Sequence, residues 1–314
     1  MRILVTGANG FIGGVLCRDL AERGFKVRGA VRKSMALPSG VETIPVGSMD
    51  EDTDWSSALE NVDCVIHLAA RVHVMSETAI DPLSEFRKVN VEGTKKLAYS
   101  SARAGVKRLV YVSSVKVNGE ATASPFTEED EPAPQDPYGI SKLEAEQALC
   151  KISEETGLEI VILRPPLVYG PGVGGNFVKL LQWIEKGLPF PLGSVMNRRS
   201  MIYVENLVHA LIHCANHPDA KGEAFLVADR ETISTPDLIF RLSEKMNRKA
   251  RVLAFPVSIL AFFGKIAGKS AEIERLTSSL EIDSSKIMNK LGWIPPFSLE
   301  DGFEKTVLWF QKRL

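Results

Sequence analysis

Arg2-Ile3-Leu4-Val5-Thr6-Gly7-Ala8-Asn9-Gly10-Phe11-Ile12-Gly13 opens the chain with a short apolar run and three glycines spaced three apart. Arg2 to Val5 reads as a buried strand, and Val15 to Ala21 as a helix ending near Gly24. Strand, glycine-rich turn and helix together make a phosphate cradle. Without Cβ atoms the backbone turns sharply and approaches a pyrophosphate, while the helix N-terminus offers unpaired N–H groups and a positive dipole end. The spacing is Gly-x-x-Gly-x-x-Gly rather than Gly-x-Gly-x-x-Gly, and a glycine triplet alone marks any tight strand-to-helix turn. The flanking strand and helix turn the reading toward dinucleotide binding.

Strand-like and helix-like segments alternate downstream. Lys26–Val31, Val41–Val46, Asp63–Leu68, Arg108–Val112 and Glu159–Leu163 read as further strands, with helices over Pro82–Ala104 and Ser141–Glu155. Near-continuous apolar strands between helices predict an α/β fold with a doubly wound parallel sheet covered on both faces. Residues 1–165 form the expected dinucleotide-binding domain, joined by returning elements near 202–227 (Ile202–Asn216 and Glu223–Val227). Residues 166–201 and 228–314, irregular and rich in Pro and Gly, read as a smaller substrate lobe.

Bulk composition narrows the function. With 314 residues, 45% hydrophobic and 25% charged, the chain buries a sizeable core. A formal net charge of -1 gives no general attraction for nucleic acid or acidic membranes, which leaves only local basic patches. Cys17, Cys64, Cys150 and Cys214 lie far apart without metal-ligand spacing, in apolar or helical surroundings, and read as buried thiols of a reducing compartment. No metal site is expected. The first strand begins at once, which leaves no room for a signal peptide, so a cytoplasmic location is expected. Val252 to Phe263 is apolar but too short to span a bilayer and carries Pro256. A core or interface helix is preferred over attachment to a membrane surface, for which Lys265 and Lys269 beyond the apolar run would speak.

Tyr138 and Lys142 stand four residues apart, so on a helix they share a face. A phenol near its ordinary pKa of about 10 is a poor base at neutral pH, and a neighbouring cation favours the phenolate. Ser113 and Ser114 follow the Arg108–Val112 strand at its C-terminal end, the edge where open α/β sheets bind ligands.

These residues resemble a known family. Thr6 to Gly13, Leu68-Ala69-Ala70, Val112-Ser113-Ser114, Tyr138-x-x-x-Lys142 and Arg164-Pro165-Pro166-Leu167-Val168-Tyr169-Gly170-Pro171 follow the order of the extended short-chain dehydrogenase/reductases, the nucleotide-sugar epimerase/dehydratase group. The resemblance implies a Rossmann-type fold, with Tyr138 as acid/base. Lys142 would lower its pKa and hold the nicotinamide ribose, and Ser114 would polarise the substrate oxygen. It implies a cofactor site of Gly7, Asn9, Gly10, Phe11, Ile12, Gly13, Arg32, Ser48, Met49, Leu68, Ala69, Ala70, Asn90, Val112, Tyr138, Lys142, Pro165 and Leu167. Ser48 and Leu167 depart from the Asp and Asn that family members carry there.

The resemblance also bears on the reaction. Dehydratases of the group resemble Thr-Asp-Glu where this chain has Ser114-Val115-Lys116, which lacks the acid and base for eliminating water. Relatives that bind NAD resemble an acidic residue after the second strand, whereas Val31-Arg32-Lys33-Ser34 here suits the 2′-phosphate of NADP, or is a solvated basic turn. Finer matches at Leu68–Met75, Ser114–Glu120 and Pro165–Gly172 look like the O-antigen and exopolysaccharide precursor subgroup. The expected activity is NADPH-dependent reduction of a C4 keto group on a UDP-2-acetamido-2,6-dideoxy hexose. A UDP-hexose 4-epimerase with bound NAD and a non-catalytic dinucleotide-binding protein are the alternatives. Lys116, Asn176, Arg199 and Arg275 are the implied contacts to a UDP-sugar or related nucleotide sugar, with His73 a further candidate. Homodimerisation through Pro82–Ala104 and Ser141–Glu155 is a family expectation.

Overall fold

The computed structural model describes residues 1–72, 81–266, 268 and 270–313, without the side chains of 271 and 272. His73 and Lys269, both weighed from the sequence, lie outside the described residues. The strands are β1 (Arg2–Thr6), β2 (Lys26–Val31), β3 (Val41–Pro45), β4 (Cys64–His67), β5 (Arg108–Val112), β6 (Glu159–Arg164), β7 (Leu167–Tyr169), β8 (Met201–Tyr203) and β9 (Ala224–Leu226). Seven of them form one parallel sheet in the order β3-β2-β1-β4-β5-β6-β9. The order reverses beside β1: the chain runs outward to β2 and β3, then returns to β4 on the other side. That switch opens a crevice at the carboxyl ends of β1 and β4.

Helices α1 (Phe11–Glu22), α2 (Ser56–Leu59), α3 (Pro82–Arg87), α4 (Gly93–Arg103) and α5 (Pro137–Thr156) belong to the first half. The second half adds α6 (Gly175–Glu185), α7 (Val204–Asn216), α8 (Thr235–Lys245), α9 (Val257–Ile266), α10 (Ser270–Thr277), α11 (Ser285–Leu291) and α12 (Leu299–Gln311). Alternate residues of β1 point to opposite faces. Ile3 and Val5 pack with Leu16, Leu20, Leu207 and Leu211 of α1 and α7. Leu4 packs with Leu97, Leu149 and Ile152 of α4 and α5. Both faces are covered, which is why the strands read as continuous apolar runs. A third core, with Tyr169, Phe177, Tyr203, Leu242 and Phe303, holds β7, β8, α6, α8 and α12 together.

Four expectations need correction. Of the elements expected to return to the main sheet, β9 does so, but Ile202 lies in β8, which pairs with β7 in a separate two-stranded sheet. The helix expected over Pro82–Ala104 is interrupted by a π-helical turn at Lys88–Glu92. Cys150 is exposed, whereas Cys17, Cys64 and Cys214 are buried, and burial pushes those three thiols up to about 12. The apolar stretch Val252–Phe263, expected to be a core or interface helix, enters α9 at Val257, and its Phe262 and Phe263 are 62% and 58% exposed, which rules out the core half of that expectation. Among the described residues, no helix is long and apolar enough to cross a membrane.

Candidate active site at the carboxyl ends of β1, β4 and β5

Sterics explain the glycine turn. Gly7 has φ +66°, and a Cβ there would lie 3.0 Å from the Ala69 backbone nitrogen. A Cβ on Gly13 would lie 2.1 Å from the Gly7 carbonyl oxygen, so α1 can press on the turn only through a glycine. The Gly10 amide closes the turn on the Gly7 carbonyl at 2.9 Å. Gly10 caps α1 without a side-chain hydrogen bond, which leaves first-turn N–H groups to face an anion. A cradle that a Cβ would fill, at the topological switch, fits a dinucleotide pyrophosphate. Phe11 reaches under the Gly170–Gly172 loop, where a Cβ on Gly172 would lie 3.4 Å from its ring.

A brace that the sequence reading missed joins this turn to β4. Thr6 Oγ1 accepts the amides of Leu68 and Ala69, both at 3.1 Å, and lies 2.6 Å from His67 Nδ1. With both amides donating to that oxygen, the hydroxyl proton is left for Nδ1. The other ring nitrogen, Nε2, then donates to Thr94 Oγ1 at 2.9 Å. Burial, helped by the Lys142 charge, pushes the His67 pKa from 6.5 down to about 3, so the ring stays neutral. The available signal was a histidine ending an otherwise apolar strand, directly before Leu68-Ala69-Ala70.

Asn90 sits in the π turn, 1% exposed, and not on a surface helix. Its Oδ1 accepts the Arg71 amide at 2.8 Å, and its Nδ2 donates to the Arg71 carbonyl at 3.0 Å and to Ser141 Oγ at 2.9 Å. Such turns recur at functional sites because they redirect one side chain out of the helical ladder. Here the redirected amide ties the loop after β4 to the first turn of α5.

Asp136 caps α5, accepting the Gly139 amide at 2.7 Å, and Pro137 occupies the first turn, where its missing N–H costs nothing. Tyr138 and Lys142 therefore project from the helix start toward the end of β5, where Ser114 caps a short turn over Val115–Val117. Lys142 Nζ donates to the Val112 carbonyl at 2.8 Å, 4.5 Å from the Tyr111 ring centroid and 5.9 Å from that of Tyr138. The structure thus brings together the three residues expected to act. The electrostatics differ from expectation: burial, then the Asp136 charge, push the Tyr138 phenol above 10, and the hydrogen bond to Ser114 works the other way. Lys142 is itself pushed down from 10.5 to about 7 by burial. Its ammonium does not outweigh desolvation of the phenol.

Around the turn, Val112, Met49 and Pro165 are buried, while Leu68, Ala69 and Ala70 are partly exposed. Arg32 and Ser48 stand exposed, and Leu167 is 47% exposed. Arg32 is the first residue beyond β2.

Cations gather where α10 approaches the segment after β5. Arg199 donates to the carbonyls of Arg275 at 2.9 Å and Ser278 at 3.1 Å, and burial lowers its pKa. Arg275 lies 3.9 Å from Glu120. Lys116 donates to Glu120 at 2.8 Å and to Asp136, so its ammonium is already shared by two carboxylates. A cavity of about 210 Å³ lined by Glu120, Gln135, Asp136, Glu274, Arg275 and Ser278 lies beside this network. Asn176 is exposed in the first turn of α6. Among the described residues no cluster of His, Cys, Asp and Glu suits a metal.

Known proteins extend this picture. The chain is 40% identical over 98% of its length to a UDP-glucose 4-epimerase of Vibrio cholerae, covering 95% of that protein. It is 27% identical over 97% of its length to an N-acetyl-α-D-glucosaminyl-diphospho-ditrans,octacis-undecaprenol 4-epimerase of Escherichia coli O157:H7, covering 94% of it. Among solved structures, it is similar to the UDP-glucose 4-epimerase of Thermotoga maritima with UDP-glucose, at TM-score 0.79 and 26% identity over 100% of this chain and 99% of that one. The UDP-glucuronic acid 4-epimerase of Bacillus cereus, in complex with UDP-glucuronic acid and NAD, superposes at TM-score 0.81 with 25% identity over 100% of both chains. A model of the NAD dependent epimerase/dehydratase family matches residues 3–228, and with the glycine cradle and the Ser114, Tyr138 and Lys142 grouping, the chain is an enzyme belonging to that family.

Proposed function

We propose that this enzyme is a UDP-hexose 4-epimerase that retains NAD through turnover. The observation that carries the reading is the convergence of Ser114, Tyr138 and Lys142 beside a turn shaped for a dinucleotide. A relative 40% identical over nearly the whole chain, a UDP-glucose 4-epimerase, supports it. NAD, when bound, supplies reversible hydride acceptance at C4 and a positive charge beside the phenol. The remaining work falls to the chain. Ser114 Oγ orients the substrate O4. Tyr138 Oη takes the O4 proton and returns it after the sugar has turned, as general base and then general acid. Lys142, held by the Val112 carbonyl, would hold the nicotinamide ribose. Arg275 and Arg199 would grip the diphosphate. Tyr138→Phe is expected to lower turnover by about 10²- to 10⁴-fold while leaving dinucleotide binding within about twofold. Full activity in that variant refutes the role of the phenol.

Arg32 favours a second reading, the NADPH-dependent reduction of a 4-keto nucleotide sugar. It stands exposed beyond β2, where an acidic residue would accept the ribose 2′-hydroxyl of NAD. Purified enzyme separates the two. An epimerase interconverts UDP-glucose and UDP-galactose with no net change in nicotinamide absorbance, whereas a reductase consumes one NADPH per 4-keto sugar. Titration with NADPH and NADH, repeated with Arg32→Ala, tests the contact itself. For the reductase, Arg32→Ala weakens NADPH by about 10-fold or more and spares NADH.

A further inference from the structure

Helix α9 carries its most apolar side chains on its outer face. Val257 and Leu260 turn inward onto the third core, and Gly264 meets α10 so closely that a Cβ would lie 2.5 Å from Ile273 Cδ1. Ile259, Phe262, Phe263 and Ile266 are 40%, 62%, 58% and 69% exposed. At about 100° per residue these four fall within one arc of roughly 100°, opposite the inward residues. Leu253, just before the helix, is a further 55% exposed. Isolated apolar residues on a surface need no explanation, but a contiguous stripe marks a place where something binds.

The charge pattern says what binds there. From Lys245 to Ser270 the chain has six Lys or Arg and no Asp or Glu, although the formal net charge of the whole protein is -1. Lys245 and Arg248 are engaged by Glu300 and Glu185. Lys249 and Arg251, before the helix, and Lys265, on its last turn, are exposed. Lys265 lies on α9, Lys249 and Arg251 precede it in the chain, and exposed Glu274 lies on the adjoining α10, so cations outnumber acids near the stripe, the pattern of a helix lying in the plane of an anionic lipid surface. A second copy of the chain fits less well. Four half-exposed side chains offer on the order of 400 Å², about half of what each partner buries in a stable pair. A two-fold contact would also bring the same cations face to face.

We infer that α9 docks this enzyme on an anionic membrane surface, with Ile259, Phe262, Phe263 and Ile266 in the boundary between headgroups and acyl chains. Arg275 belongs to α10, the helix packed on α9, so docking holds the substrate cleft close to the bilayer. The inference goes beyond the proposed reaction and does not depend on which sugar or cofactor is used.

The test is flotation of the full-length enzyme with vesicles of phosphatidylcholine, with and without phosphatidylglycerol. Wild type is expected to float with the anionic vesicles. Phe262→Ser/Phe263→Ser is expected to lose about tenfold or more of the bound fraction, and Phe262→Leu/Phe263→Leu to keep most of it. None of these changes touches the catalytic grouping, so turnover of a soluble nucleotide sugar stays at the wild-type level, and failure of the proposed reaction leaves the flotation result standing. The inference is overturned if wild type stays with the unbound protein or if the Ser variant floats equally well. It is also overturned if light scattering shows that wild type is a dimer that the Ser variant breaks, which would make a second copy the cover of α9.

Discussion

His67 and Lys142 both lie against the Tyr111 ring, and both are disfavoured as cations by burial. His67 stays neutral because its pKa falls from 6.5 to about 3. A proton is therefore taken up by the unfolded chain as pH drops through 6.5, but by the folded protein only near 3. This share of stability is complete above pH 6.5 and is lost as pH falls toward 3. Between pH 7 and pH 5 the loss is about 2 kcal/mol. Urea unfolding at the two pH values is expected to show it, and His67→Asn to remove that part of the difference. An unchanged pH dependence in the variant would assign the loss elsewhere. Ser114, Tyr138 and Lys142 were legible as residues because their spacing states a chemistry. Thr6 and His67 were not, because a brace between two strand ends joins residues 61 apart and leaves no local spacing. The balance of charge at Tyr138 was illegible for a related reason: desolvation depends on everything packed around the phenol.

At the scale of elements, the glycine turn shows how narrow the requirement is. Gly13 and Gly14 are neighbours at the start of the same helix. A Cβ on Gly13 would sit 2.1 Å from the Gly7 carbonyl oxygen, whereas one on Gly14 would be 4.0 Å from its nearest neighbour, the Ala8 carbonyl oxygen. Gly13→Ala is expected to push α1 off the turn and weaken NAD binding by about 10-fold or more. Gly14→Ala is expected to keep binding within about twofold, and to add a few tenths of a kcal/mol or more to stability through helix propensity. Calorimetric titration beside thermal unfolding checks the pair, and equal losses in both variants would remove the steric argument. The turn was readable because strand, glycines and helix are contiguous. The π turn at Lys88–Glu92 was not, since its residues carry ordinary helical periodicity and the partners of its Asn90, Arg71 and Ser141, lie far along the chain. Whether α9 faces the core or an interface was not legible, because an apolar stretch reads the same in either place.

Across the whole molecule, charge links the segment after β5 to the start of α5 and to α10. Asp136 caps the helix that carries Tyr138, Lys116 bridges Asp136 and Glu120, and Glu120 reaches Arg275 of α10. The parallel, doubly wound character of the first half could be read from alternation alone, whereas the order of its strands comes from the structure. The crossing of β8 to β7 could not, because both strands are three residues long and too short for a period to show. The ion network makes Glu120 a competitor for the cation expected to meet the substrate diphosphate. Removing the cation and removing its competitor should therefore act with opposite signs. Arg275→Ala is expected to raise KM for a UDP-sugar by about 10- to 100-fold, because a charge-assisted contact is lost, while NAD affinity stays level. Glu120→Gln leaves Arg275 without its carboxylate and is expected to lower KM by about two- to threefold at low salt, an effect that fades as ions screen the partly exposed pair. Steady-state kinetics of both variants at two ionic strengths reads the signs directly. If Glu120→Gln raises KM as Arg275→Ala does, the carboxylate is positioning the arginine for the substrate and is not competing with it.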